Sequence, residues 1–343
     1  MHCQPEAQVL LAPYTTLQVG GSAEWLVTVT NIAELQAAVR WAQVRDLPIT
    51  LIAGGSNVQI GDAGIPGLVI RILLGGVEVK KSTNDTILIR AGAGAVLDDV
   101  VAMTVEQGWW GLENLSHIPG SVGATPIQNV GAYGVEVGDL IESVEVYDIK
   151  ADTLRTFSVF DCQFGYRDSI FKTSEGRSVC IIAVTFRLHT KPSPRLTYVD
   201  LAERLSDQTG LTPAQVRKEV CRIRAKKFPD WHTVGTAGSF FKNPIISNTQ
   251  AKEIIKRYPE LPVYALAGEQ VKVPLGWILD KICGLRGYRD GALGLYKQQA
   301  LVLVNYGGAT SAEIDTFASY IQDVVYTHTG ICIQHEVTRL PQQ

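Results

Sequence analysis

No stretch of about 18 uncharged apolar residues occurs in the 343-residue chain, so a membrane-spanning helix is not expected. The first residues carry Glu6 and no basic run, which argues against a secretory leader. A basic excess is missing too: 31 Lys and Arg stand against 34 Asp and Glu, a formal net charge of −3. General polyanion binders carry a surplus of basic charge, so no nucleic-acid partner is expected. No Cys-x-x-Cys pair exists among Cys3, Cys162, Cys180, Cys221, Cys283 and Cys332. Scattered through apolar segments, they read as small buried hydrophobes of a reduced, cytoplasmic protein. His2, His117, His189, His232, His328 and His335 lack the i, i+3 or i+4 spacing of a helical metal site, and no metal is expected. Gly92-Ala93-Gly94 lacks the third glycine of a dinucleotide fingerprint, and no G-x-x-x-x-G-K-[ST] loop occurs. Zinc proteases, P-loop enzymes and ordinary Rossmann dehydrogenases are thereby disfavoured. The low hydrophobicity of a disordered chain is absent as well, at 46% apolar residues.

What is present is a chain too long for one ordinary domain, suggesting two or three units. Helical periodicity over 30–43 puts Leu35, Ala38, Val39 and Ala42 on one face, with Asn31 and Glu34 spaced as a capping box. A short apolar strand is expected at 48–53, and further strands at 68–72 and 87–91. A second helix, 97–107, ends at Gly108. Residues 111–138 have no clear period and are rich in glycine, too apolar for a linker and too irregular for a helix. Strands are expected at 142–148, 154–159 and 179–188. Lys191-Pro192-Ser193-Pro194 reads as a rigid spacer and candidate boundary. Thr212-Pro213 opens a helix with Val216, Val220 and Ile223 on its core face, and another helix spans 248–258. Thr310 and Glu313 cap a long helix, 310–329, striped by Ile314, Phe317, Ile321, Val324 and Val325. Gly330 stops it, and an alternating strand follows at 331–338. Without a regular βαβ rhythm, the fold class is α+β.

Five segments carry chemistry-bearing residues. Gly54-Gly55-Ser56-Asn57, after a strand, reads either as a tight turn or as a cradle whose amides approach an anion. Residues 118–134 read as an Ω-loop held for packing or as a loop wrapped around a long phosphate-bearing ligand. In Phe164-Gly165-Tyr166-Arg167-Asp168-Ser169 the arginine fits a bidentate carboxylate contact, or an ion pair with Asp168 or Asp161 at a turn. Gly238-Ser239-Phe240-Phe241-Lys242-Asn243-Pro244 is not G-x-S-x-G, because Ala237 occupies the first glycine position. With His232 the closest histidine, Ser239 is a poor hydrolase nucleophile and reads as a turn residue. Glu336 shares a strand face with Gln334 and Thr338 and reads by itself as a solvated carboxylate.

Taken together and in order, segments 53–58, 111–115, 118–135, 164–172, 238–244 and 298–305, with Glu336-Val337, resemble the UDP-N-acetylenolpyruvoylglucosamine reductases, flavoenzymes of bacterial peptidoglycan synthesis. The resemblance runs from about Tyr14 to Arg339, and Leu196-Thr197-Tyr198 is similar to the subclass whose tyrosine loop covers the substrate. It implies a two-part FAD-binding domain of the vanillyl-alcohol-oxidase type, 14–75 joined by 331–343 and then 76–215, followed by a substrate-binding domain at 216–330. It implies FAD held by Gly54, Gly55, Ser56, Asn57, Ile118, Pro119, Gly120, Ser121, Gly123, Gln128, Asn129 and Gly131. NADPH would be the electron donor, and the enolpyruvyl ether of UDP-N-acetylglucosamine would be reduced to UDP-N-acetylmuramate. Arg167, Ser239 and Glu336 would be catalytic. Tyr166, Tyr198, Arg224, Lys227, Asn243, Tyr264, Lys272 and Gln298 would meet the nucleotide sugar. Two other readings stay open: another flavin oxidoreductase of this fold, or a non-catalytic nucleotide-sugar binder. The chain departs from the family in its first dozen residues, in His335 where proline is common, and in Thr338 before Arg339.

Overall fold

The computed structural model describes residues 4–341; His2, Cys3 and the end of the expected 331–343 segment lie outside the described residues. The chain forms two compact units, the first from Met1–Val9, Ala23–Gly55 and Pro66–Ala225, the second from Leu10–Ser22, Ser56–Ile65 and Lys226–Gln343. The first unit therefore continues through the Pro192-Ser193-Pro194 spacer. Among the described residues no helix is long and apolar enough to cross a membrane.

The first unit holds two sheets. One orders its strands Glu6–Leu10, Ser22–Val29, Ile65–Ile72, Ile49–Ile52, with the last two parallel. The helix Ile32–Gln43 joins the strands Ser22–Val29 and Ile49–Ile52 and buries the four expected residues. Its cap is half of the expected box. Asn31 accepts from the Glu34 amide, but the Glu34 carboxylate reaches back to Thr30, accepting from its N–H at 2.8 Å and its hydroxyl at 2.9 Å.

The other sheet is antiparallel, in the order Thr153–Ser158, Ile141–Asp148, Val179–His189, Thr86–Gly92, Val77–Ser82. Its middle strand is buried without a break over 179–186, so both of its faces are covered, as the unbroken apolar run requires. Against it, in one core cluster, pack Leu97 and Val101 of the helix Leu97–Glu106 and Leu112, Leu115 and Val122 of the aperiodic segment. That segment holds three single turns, Glu113–Leu115, Val122–Ala124 and Val137–Asp139, and a two-residue hairpin, Gly131–Ala132 with Val135–Glu136. The helix Val199–Leu205, just after Tyr198, has no counterpart in the sequence reading.

The second unit packs an antiparallel sheet, Gly235–Ser239, Gln299–Asn305, Leu293–Tyr296, Arg289–Asp290, with the helix Ser311–Thr329. Phe240, Phe241, Leu303, Ile314, Phe317 and Ile321 share its core. The long helix has the full capping box, and Asp62 accepts from the Ser311 and Ala312 amides at 2.8 and 2.9 Å. Its first-turn donors are thus paired by side chains. Residues 331–338 do not form the expected strand. Ile331, Ile333 and Val337 are buried in alternation, but the segment has one bridge, His335 to Phe241, before the strand Thr338–Leu340 pairs in parallel with Val58–Ile60. The alternation reflects burial of every other side chain, while the backbone bonds go to separate loops rather than to one neighbouring strand.

Gln59 shows what holds this corner. It is 2% exposed, and its amide donates to Ser311 Oγ at 2.9 Å and Asp315 Oδ1 at 2.8 Å. Gln59→Leu should cost about 1–3 kcal/mol, because buried acceptors lose their donor. Scanning calorimetry should show the lowered Tm; an unchanged Tm would mean that the helix is held without this amide.

Candidate functional site

In the first unit the candidate dinucleotide loop is fixed by backbone bonds. Leu97 N donates to Gly120 O at 3.0 Å, Val122 N to Ala95 O at 2.9 Å and Gly123 N to Ala93 O at 2.8 Å. Two glycines are required by proximity. A Cβ at Gly123 would meet Ala93 Cβ at 2.5 Å, and one at Gly54 would meet Gly120 Cα at 3.0 Å. The turn after the strand Ile49–Ile52 and the loop 118–123 therefore touch through glycine backbones, which leaves their amides close together. Ser121 is 5% exposed and its Oγ has no hydrogen-bond partner. A buried hydroxyl left unpaired is costly, and a ligand's phosphate oxygen is the kind of acceptor that satisfies it. These residues fit a dinucleotide diphosphate such as that of FAD.

Asn129, also expected at the cofactor, is 2% exposed with its amide fully engaged. It donates to Glu136 Oε2 at 2.7 Å and Gly165 O at 3.0 Å and accepts from Gly138 N at 2.9 Å. It thus ties the loop 129–138 to the turn that carries Arg167. In that turn Gly165 and Asp168 exchange backbone bonds of 3.0 and 3.2 Å, and Arg167 has φ +53. Lys172 Nζ donates to Arg167 O at 2.6 Å, and Arg167 Nη2 to Gly131 O at 3.1 Å. Of the two aspartates weighed as ion-pair partners, Asp168 accepts from Ser169 N and Asp161 from the Ser158 amide and hydroxyl. Tyr166 lies under the guanidinium, its ring centroid 5.7 Å from the Arg167 carbon.

Tyr198, 36% exposed, meets Tyr133 edge to face at 5.0 Å. Beneath them Asn114, fully buried, donates to Tyr133 O and to Arg195 O, both at 2.8 Å. Arg224 is 9% exposed, its Nε donating to His117 O at 3.0 Å and its guanidinium bonded to the Tyr133 side chain. Burial pushes the Arg224 pKa down. Asp98 lies in none of the segments singled out in the sequence, and Asn114 and Lys172 lie in two of them without a role assigned. Each acts on a main-chain group that is distant in sequence or one turn away, and no motif spacing records that.

The second unit carries the other candidates. Ser239 ends the strand Gly235–Ser239 after a register shift between Thr236 and Ser239, with Gly238 at φ +74. A bulge re-aims the side chain that follows it, and here that side chain is the serine hydroxyl. The backbone of Glu336 lies beside this strand end. Glu336 N donates to Phe240 O at 2.8 Å, Lys242 N to Gln334 O at 2.9 Å, and Asn57 Nδ2 to Glu336 O at 3.3 Å. Serine and glutamate, far apart in sequence, thus stand on paired segments, with Asn57 holding the glutamate's carbonyl. His335 packs against Phe240 and Phe241, both ring centroids at 5.2 Å, and burial lowers its pKa. The strand register sets Lys272 opposite both Ile245 and Tyr264. Asn243 accepts from Leu275 N at 2.9 Å, while Tyr264 and Gln298 are exposed and Lys227 is half-buried.

A glycine-backed loop with an unpaired buried hydroxyl, in an α+β unit, suits a flavin dinucleotide, and the sequence places the chain in that class. Residues 23–157 match the family described as FAD binding domain, and residues 230–340 match the C-terminal domain of UDP-N-acetylenolpyruvoylglucosamine reductase. The chain is 39% identical over 340 residues to the UDP-N-acetylenolpyruvoylglucosamine reductase of Chromobacterium violaceum, covering 98% of this chain and 99% of that one. It is 40% identical over 328 residues to the reductase of that name from Pseudomonas aeruginosa, covering 95% and 96%. The crystal structure of the Thermus caldophilus UDP-N-acetylenolpyruvylglucosamine reductase matches with a TM-score of 0.70 at 26% identity, over 98% of this chain and 99% of that one. The chain belongs to the UDP-N-acetylenolpyruvoylglucosamine reductase family.

Ser121→Ala should act with opposite signs on fold and ligand. Removing an unpaired buried hydroxyl should leave the flavin-free protein as stable as wild type or more so, while FAD affinity falls by about 1–2 kcal/mol. Flavin-fluorescence titration and thermal melting of the stripped protein check both halves.

Proposed function

We propose that this chain reduces the enolpyruvyl ether of UDP-N-acetylglucosamine to UDP-N-acetylmuramate, with FAD bound and NADPH as electron donor, in peptidoglycan precursor synthesis. Family membership over nearly the whole chain supports the reaction. The observation that carries the assignment of residues is the pairing of the Glu336 and Ser239 segments through Glu336 N and Phe240 O. A redox enzyme of the same fold with another substrate gives no reason for a serine and a glutamate to stand on paired segments there. The same reading puts the enzyme in the cytoplasm, where its thiols Cys162, Cys180, Cys221, Cys283 and Cys332 stay unpaired. Its functional parts are 14–75 with 331–343, 76–215 and 216–330, the first two for FAD and the third for substrate.

FAD, when bound, supplies hydride transfer from NADPH to C3 of the enolpyruvyl group. The chain's own residues handle the charge and the proton. Negative charge that builds at C2 spreads into the substrate carboxylate, and fixed positive charge stabilises it. Arg167 supplies that charge from a planar fork. Ser239 holds the proton that C2 takes up. A hydroxyl keeps its proton at every physiological pH, so it donates only to a strong base, and a carbanion is one. No histidine partner is needed, and His335 beside the site faces aromatic rings. Glu336 helps as a proton-sharing group, since a second bare carboxylate would repel the dianion. Tyr166, Tyr198, Arg224, Lys227, Asn243, Tyr264, Lys272 and Gln298 position the nucleotide sugar, Arg224 from beneath through Tyr133.

Ser239→Ala should leave FAD bound and let NADPH bleach the flavin at close to the wild-type rate. Reoxidation by the enolpyruvyl substrate should slow by about 10²–10⁴-fold. Stopped-flow absorbance separates the two stages, and wild-type reoxidation would remove Ser239 from the chemistry. Arg167→Lys keeps a charge but loses the fork, so the same stage should slow at least tenfold, about 1.4 kcal/mol. Full activity with lysine would make Arg167 a structural residue of its turn.

A further inference from the structure

His117 stands immediately before the dinucleotide loop with φ +60, in the left-handed region that residues with a Cβ rarely adopt. Its side chain is exposed. Its peptide groups are held from both sides. His117 N donates to Asp98 Oδ1 at 2.5 Å, and His117 O accepts from Arg224 Nε at 3.0 Å. Asp98 is itself fixed by a two-point pair with Arg217, at 2.5 and 3.0 Å. Burial pushes the Asp98 carboxyl up, but the Arg217 guanidinium and the His117 amide outweigh it and hold it below the usual carboxylate range. Arg217 and Arg224 sit two turns apart on the helix Pro213–Lys227, which places them on one side of it. One helix therefore grips the left-handed residue twice, once directly and once through Asp98.

We propose that Asp98 and Arg224 are positioning residues that hold the His117 backbone left-handed and so preset the loop 118–123 before FAD arrives. The inference rests on the reading that this loop holds FAD. A loop that must find a disfavoured conformation on its own binds weakly, because ligand binding then carries the ordering cost. A loop clasped in advance does not. Arg224 also reaches Tyr133, which meets Tyr198, so the clasp that serves the cofactor loop runs on to a candidate substrate residue.

The test uses full-length protein stripped of flavin and titrated with FAD, read by quenching of flavin fluorescence well below the melting temperature of each variant. Asp98→Ala should raise Kd at least tenfold. Asp98→Asn, which keeps an acceptor for His117 N but loses the charge pair, should fall between and serves if alanine does not fold. Adding His117→Gly to Asp98→Ala should recover most of the lost affinity, since glycine takes φ +60 without a clasp. A lowered Tm with Kd within twofold of wild type would overturn the proposal and leave Asp98 a merely structural residue. Failure of glycine to recover affinity would overturn it too, because the effect would then not run through the backbone. Wild-type protein that binds no FAD would instead defeat the underlying reading of the loop, and this inference with it.

Discussion

Buried peptide groups outside helices and long ladders must each find a partner, and the first unit is arranged around that constraint over residues 111–138. The segment packs Leu112, Leu115 and Val122 into the main core, so its backbone cannot turn to water. The partners come one at a time. Gly111 N goes to the Glu113 carboxylate, Tyr133 O to Asn114, Gly138 N to Asn129, and Gly120 O, Val122 N and Gly123 N to the edge formed by 93–97. Glu113 is 1% exposed, and burial raises its pKa; its carboxylate partners a main-chain donor, the Gly111 amide. The result is an irregular surface of fixed shape. Ser121 Oγ is the side-chain polar atom left over in the dinucleotide loop, and that remainder is what a ligand can use.

The same economy appears around Arg167. Arg167, like His117, sits at positive φ, and in both cases side chains from elsewhere hold the main chain in place, Lys172 in one and Asp98 with Arg224 in the other. Strain of this kind persists only where the surroundings over-determine it, and it gathers at functional positions. The second unit places its candidate residues by a different device. A bulge at the end of a strand turns Ser239, and a short pairing of 334–336 with 240–242 brings Glu336 alongside. Asn57 completes the arrangement through the Glu336 carbonyl, so a residue expected at the cofactor also fixes the backbone of a catalytic candidate.

How much of this was legible in the residues depended on the range of the forces involved. The helices Ile32–Gln43 and Ser311–Thr329 were readable because side-chain periodicity and capping are local, within four residues. The central strand Val179–His189 was readable because a strand covered on both faces must be apolar throughout. The order of the short motifs, with their glycines, carried the family and hence the chemistry. The alternation over 331–338 was real as a burial pattern and misleading as a strand, because alternation reports where side chains go and not which backbone is beside them.

The sequence by itself thus determined most of the elements, the α+β class and the family. Tertiary structure alone decided which side chains are available to a ligand. Asn129 and Asn57 carry amides that suit a cofactor as well as a loop, and only long-range folding shows them bonded to Gly138 and to Glu336. Asp98 looks like an ordinary acidic residue in a helix's first turn, yet the peptide it holds is 19 positions away. Composition and spacing encode what each group can bond to. The partner it finds is set by chain segments that meet only on folding, since a hydrogen bond reaches about 3 Å and the sequence separating its ends has no bearing on that distance.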